Sequence, residues 1–198
     1  MALTIEHFAG ATRVVFGPAS IDILRNDAPP TPSAAVAERV CALQEPIDTT
    51  SDLHIVVYGS TPFLAALRRL DLSRNLALRS LGVEVVYDTL DNSRVVDVWS
   101  GILPVLRSIP EATALERVSL TSPVSLASLR GGWSRFVLVA GLAQLLYSID
   151  HCLVRVVDRA PLDHINILPP SGELFLSMDW VRTKTLFPAL YDYGMLRY

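Results

Sequence analysis

Ser80, Arg117, Arg155 and Arg197 each stand one residue before an apolar residue in four short look-alike segments, and the last three are arginine. A column of guanidinium groups suits phosphate or acidic peptide, because each planar fork can grip an anionic group in two places. A second group joins aromatic rings to acids: Tyr58, Tyr87, Glu84, Asp88, Asp91 and Asp158, with Arg159 beside them. Tyrosine rings can stack on a nucleobase, an interaction worth about 1–3 kcal/mol per base. Arginine dominates the basic residues, since Lys184 is the only lysine among 17 Lys and Arg. Genomic codon bias is one reading of that preference, and a fork suited to carboxylate or phosphate is the functional one.

Other chemistries leave no motif. There is no GxGxxG, P-loop, GxSxG, HExxH or paired CxxC. His7, His54, His151 and His164 share no metal-ligand spacing. Asp150, His151 and Cys152 are consecutive, but neighbours along a chain point different ways, so the string reads as structural. Cys41 and Cys152 are far apart in sequence. They form neither a disulfide framework nor a metal pair and read as small buried hydrophobes.

A column of arginines requires the segments that carry them to be adjacent parallel strands, about 4.8 Å apart. The segments are LRSLGV at 78–83, LERVSL at 115–120, LVRVVD at 153–158 and the truncated MLRY at 195–198. Their second apolar members, Leu81, Val118, Val156 and Tyr198, recur about every 40 residues, a spacing typical of stacked structural repeats. Like charges that close repel unless an anion sits among them or Glu84, Glu116 or Asp158 pairs with them. The tyrosines and acids of the second group would collect at the C-terminal edge of the same strands, where parallel sheets bind ligands.

Helical patterns separate the strands. Trp99, Ile102, Leu103, Leu106 and Ile109 make one apolar stripe, stopped by Pro110. A second helix is predicted from Trp133 to about Tyr147 and a third from Trp180 past Leu186, so each tryptophan opens a helix as a packing anchor. Upstream, Leu67, Leu70, Leu72, Asn75, Leu78 and Leu81 reproduce the leucine-rich-repeat spacing LxxLxLxxNxxLxxL, whose asparagine bonds turn backbone inside the bend. LHIVVY at 53–58 is a further strand. LTIEHF and TRVVF suggest a hairpin turning at Gly10, NDAPPTPS at 26–33 a linker, and Ser33 the cap of a helix from Ala34 to about Gln44. The predicted fold is therefore α/β: a short leucine-rich-repeat-like β/α solenoid of about four units over 51–198, with residues 1–50 as an N-terminal β/α cap, all in one domain, 1–198.

Composition narrows the classes further. Hydrophobic residues are 51% and charged residues 19% of 198, which argues against disorder. The greasiest run, Phe136 to Ile149, is shorter than the ~20 residues of a spanning helix. No signal peptide is read in MALTIEHFAGATRVVF, so a cytoplasmic protein without membrane or disulfide partner is expected. The net charge of −3 leaves any nucleic-acid binding to a local basic patch.

LDLSRNLALRSLGVEV, the tryptophan-led helices, LERVSL and the ending FPALYDYGMLRY resemble the C-terminal leucine-rich-repeat-like region of basidiomycete F-box-type proteins, over about 60–198. That resemblance implies a non-enzymatic module for binding an unidentified protein partner, although no F-box helix bundle is legible in residues 1–50. In size and kind the chain is also similar to mushroom ribosome-inactivating proteins that act as RNA N-glycosylases. The second resemblance implies a cytotoxic enzyme, needing no metal or organic cofactor, that releases adenine from the exposed loop of large-subunit ribosomal RNA. Such an enzyme must extrude the base, stabilise the positive charge developing on the ribose and activate water. Under it, Glu84 or Asp88 would be the carboxylate and Arg117 or Arg155 the donor to the leaving ring. Tyr58 and Tyr87 would stack on the base, and Arg159 and Arg197 would hold substrate. The helical Glu-Ala-x-Arg turn of the plant toxins is absent, because Glu111-Ala112 is followed by Thr113-Ala114.

Overall fold

A computed structural model describes residues 2–8, 11–17, 44, 47–58, 67–86, 92–121, 141–168 and 186–197. Its strands are β1 (Ala2–Phe8), β2 (Ala11–Gly17), β3 (Asp52–Tyr58), β4 (Ser80–Val86), β5 (Arg117–Thr121), β6 (His164–Leu168) and β7 (Leu196–Arg197), arranged side by side in chain order. β1 and β2 are antiparallel with Phe8 opposite Ala11, the hairpin that LTIEHF and TRVVF suggest. From β2 onward every neighbouring pair is parallel. Parallel neighbours require a crossover connection. Among the described residues, α1 (Asn92–Arg107) crosses from β4 to β5, α2 (Leu142–Val157) from β5 to β6 and α3 (Pro188–Asp192) from β6 to β7. The chain is a mixed α/β fold with a parallel sheet.

Period-2 alternation divides the sheet into two faces. Leu53, Ile55 and Val57, Leu81, Val83 and Val85, Val118 and Leu120, and Ile165 and Ile167 are buried in one core cluster with the helices. The intervening positions of β4 are half-buried throughout, so the other face is the more open one. Val56 and Thr121 belong to that second face yet are buried. Thr121 also replaces a ladder partner, its Oγ1 accepting the Val85 N–H at 3.2 Å.

The predicted stripe on α1 is realised. Val95, Val98, Trp99, Ile102, Val105, Leu106 and Ile109 are buried, the i, i+3, i+4, i+7 signature of a helix with one buried face. Trp99 lies in the middle of α1 rather than opening it. Its indole is fully buried, as a packing anchor should be. Pro104 sits inside the helix and has no N–H to give the Ser100 carbonyl. At the C-terminal end the Ser108 hydroxyl donates to the Val105 carbonyl at 2.7 Å and accepts the Leu72 N–H at 2.9 Å. The turn before β4 is thereby tied to the end of α1.

The leucine motif ahead of β4 behaves as its spacing suggests. Leu67, Leu70, Leu72, Leu78 and Leu81 are buried, and Asn75 is fully buried with them. The Asn75 amide donates to the carbonyls of Ile47 and Thr50, the latter at 2.9 Å, while its Oδ1 accepts the Ala77 N–H at 3.0 Å. A buried asparagine with its amide and carbonyl both engaged holds the bend instead of straining it.

Two expectations fail around α2. LVRVVD at 153–158 is not a strand but the last turns of a helix and its cap, and the helix expected to stop near Tyr147 continues to Val157. Leu142, Leu145, Leu146, Ile149, Leu153 and Val156 are buried along it. That helical period, satisfied against α1 and the sheet, overrides the strand preference of the valines. The strand that follows β5 is HINIL at 164–168. The expected start of α2 at Trp133 and of α3 at Trp180, the linker 26–33 and most of the helix from Ala34 lie outside the described residues.

Candidate functional site

Strand register fixes which side chains meet on the more open face. Asp52, Ser80, Arg117 and His164 form one row, and His54, Gly82, Ser119 and Asn166 the next. Glu84 follows on β4, between Val56 and Thr121. β4 therefore contributes its two smallest side chains, Ser80 and Gly82, to the middle of the first two rows, and the taller residues on either side lean over them.

Each small residue is bridged. The His54 imidazole lies across Gly82: a Cβ there would come within 2.7 Å of His54 Cδ2. This reach brings His54 Nε2 to 3.5 Å from Glu84 Oε2, a diagonal contact that no side chain at position 82 obstructs. Over Ser80, Arg117 reaches from β5 to Asp52 on β3, 4.0 Å away. Asn166 Nδ2 donates to Ser119 Oγ at 3.5 Å. His164 Nδ1 is buried without a hydrogen-bond partner at the end of the first row. These contacts are half-exposed, and ion pairs of that kind contribute about 0–1 kcal/mol each. They order the surface without locking it, so an incoming ligand can exchange them at little cost.

The register dismantles the expected arginine column. Arg155 is on α2, not on a strand. Arg197 pairs with Asn166, one row beyond Arg117, which is opposite His164. The acids expected to neutralise the column, Glu84, Glu116 and Asp158, do not serve Arg117. Glu84 faces His54, Glu116 meets Arg79 at 3.5 Å, and Asp158 caps α2. Arg159 is also in the turn after α2, bonded to Glu111 at 2.9 Å, and stands away from the strand edge. Tyr58 ends β3 opposite Val86. Tyr87, Asp88 and Asp91 lie outside the described residues.

Arg155 and Arg159 meet each other elsewhere. With Arg107 they surround a cavity between the C-terminal ends of α1 and α2. Of the expected site residues, then, Glu84 and Arg117 remain on one surface and Arg155 and Arg159 share another. His54 and Asp52, missed as functional candidates, complete the first surface. The alternation in LHIVVY places His54 opposite in sense to Leu53 and Ile55, but its contact with Glu84 needs the β3–β4 register.

The tempting Asp150-His151-Cys152 string separates as adjacent helical positions must. Asp150 is buried against α3, His151 packs on the Tyr147 ring with centroids 4.1 Å apart, and Cys152 is a buried free thiol facing α1. Among the described residues no three His, Cys, Asp or Glu side chains converge as a metal site, and no helix is long and apolar enough to cross a membrane. No protein-family model, curated protein or solved structure matches the chain.

Proposed function

We propose that this chain is a leucine-rich-repeat-like β/α binding module whose polar sheet face docks a protein partner. The observation that carries this reading is the face itself: short polar side chains along β3–β6, flanked by exchangeable exposed pairs such as Arg117 with Asp52. A partner segment lying along Ser80 and Gly82 would meet a carboxylate, an imidazole and a guanidinium within two rows. That mixture favours a segment of mixed charge. The solenoid part of the reading rests on the chain-order parallel strands and on Asn75 holding its bend, in keeping with the resemblance to F-box-type substrate receptors.

The test is comparative capture. Wild-type chain, a face variant carrying Arg117→Glu with Asn166→Arg, and Arg68→Glu, which is exposed outside the sheet, are each immobilised against basidiomycete extract. The expected result is a protein retained by wild type and Arg68→Glu and lost from the face variant. Identical retention by all three would overturn the assignment of the face.

A second reading, the ribosomal RNA N-glycosylase, draws on the His54–Glu84 contact at 3.5 Å. An imidazole beside a carboxylate can pair a proton donor with a charge stabiliser. Adenine release from eukaryotic ribosomes, abolished in Glu84→Gln with the melting point unchanged, would replace the binding reading by this one. Intact RNA at generous protein concentration would remove it.

A further inference from the structure

Resting on the docking role of the same sheet face, we propose that its occupant is an extended polypeptide segment with a carboxylate side chain and, four residues along, a cationic one. The face presents the two complementary charges at the matching distance. Arg117 stands in the first row, opposite Ser80 of β4, and Glu84 in the third row of β4 itself. Four residues of strand separate those rows, about 13 Å at ~3.3 Å per residue. An extended segment laid along β4 has the same rise. Its residues i, i+2 and i+4 all face the sheet and meet one row each.

Exposure decides which charges a partner reaches. The Arg117 side chain is 63% exposed and that of Asp52, 4.0 Å away, 45%. Arg117 can leave Asp52 for a partner carboxylate at little cost, because Asp52 Oδ2 also accepts the Ser51 hydroxyl at 3.0 Å. The Glu84 side chain is 35% exposed, whereas Val56 and Thr121 on either side of it are buried. The third row therefore offers a partner a carboxylate and little else. In the second row the His54 imidazole lies over Gly82, where a Cβ would come within 2.7 Å of its Cδ2. It gives the middle residue of the segment a ring to pack on where β4 itself has no side chain. A segment carrying one sign of charge would be attracted at one end of this strip and repelled at the other.

The experiment titrates the full chain, labelled with nitrogen-15, with the blocked peptide Ser-Glu-Thr-Val-Thr-Lys-Ser and follows backbone amide shifts by NMR. Saturable shifts at Ser80, Gly82 and Ser119 are expected. Exchanging the lysine with the serine after it puts the two charges on opposite sides of an extended chain. That peptide should bind about fivefold more weakly, the scale of one half-exposed ion pair. A peptide with glutamate at both charged positions should lose as much. Arg117→Glu should weaken the first peptide by at least the same factor and bind more tightly a peptide with lysine at both positions. A merely structural role for Arg117 would give no such rescue, and the same spectra report whether the variant is folded. Equal affinity for all the peptides, shifts confined to residues outside β3–β5, or no saturable shift would overturn the charge pattern. If a protein is still captured from extract by wild type and not by the face variant, docking at this face survives that loss; if that capture fails too, both readings fall.

Discussion

Asp150 brings a carboxyl group into a helix face otherwise made of leucine, isoleucine and valine. It is fully buried, and its place is explained by what it bonds. Oδ2 accepts the Ala189 N–H at 2.8 Å and Oδ1 the Leu190 N–H at 3.0 Å. α3 has no side-chain cap of its own, with Phe187 at its N-cap and Pro188 at its start. Asp150 caps it from α2, across 39 residues of sequence. Burial pushes the Asp150 carboxyl up from its usual range, with the two backbone bonds opposing. The folded chain therefore holds that proton more tightly than the unfolded chain. The stabilisation is full below about pH 4, where a free aspartate is protonated, and is lost as pH rises through the raised value. Urea unfolding of wild type and Asp150→Asn across pH 4–7 should show the wild-type advantage shrinking as pH rises. An advantage that grows with pH would mean that the backbone bonds to the carboxylate outweigh its burial. Asp150→Ala, which orphans two N–H groups, should cost about 1–3 kcal/mol for each left without a partner.

The turn between the helix end at Leu67 and β4 is held by one side chain. Asn75 satisfies the Ile47 and Thr50 carbonyls and the Ala77 N–H together, so it joins two elements that pack side by side. Asn75→Ala should cost several kcal/mol, at about 1–3 kcal/mol for each buried group left unpaired. Its neighbour Leu76, 60% exposed, should tolerate alanine within about 0.5 kcal/mol. Equal losses in chemical denaturation would show that the turn does not depend on the asparagine. This element was legible in the sequence because leucine spacing and a turn-specific residue point the same way. α2 was not. LVRVV carries strand propensity, and only packing against α1 and α3 decides that Leu153 and Val156 continue the period of Leu146 and Ile149. HINIL passed unnoticed because five residues of alternation between Pro161 and Pro169 give little local signal. The arginine column failed with α2, since its register depended on that strand. Glu84 and Arg117 survived on the sheet because their own segments were read correctly.

The sheet runs unbroken from β1 to β7, and the apolar side beneath it forms one cluster reaching from Ile47 to Leu190. Two physical pictures of such a molecule differ. A stack of repeats held by nearest-neighbour contacts can lose its end units separately, whereas one shared core unfolds as a whole. α2 decides between them. Its buried face contacts α1 on one side and α3 on the other, so the helices of successive crossovers share side chains in place of meeting at thin interfaces. The Asp150 bond to α3 and the Ser108 link from α1 back to Leu72 add long-range ties at both ends. A single transition is therefore expected, with tryptophan fluorescence and far-ultraviolet circular dichroism giving the same midpoint. Leu53→Ala on β3 should lower that common midpoint through a loss of about 2–5 kcal/mol, and Phe187→Ala at the start of α3 through about 3–5 kcal/mol. Both positions are buried, at 2% and 0% exposure, and they lie toward opposite ends of the cluster. If Phe187→Ala instead splits off an early transition that leaves the Leu53 end at its wild-type midpoint, the C-terminal crossover is a separable repeat.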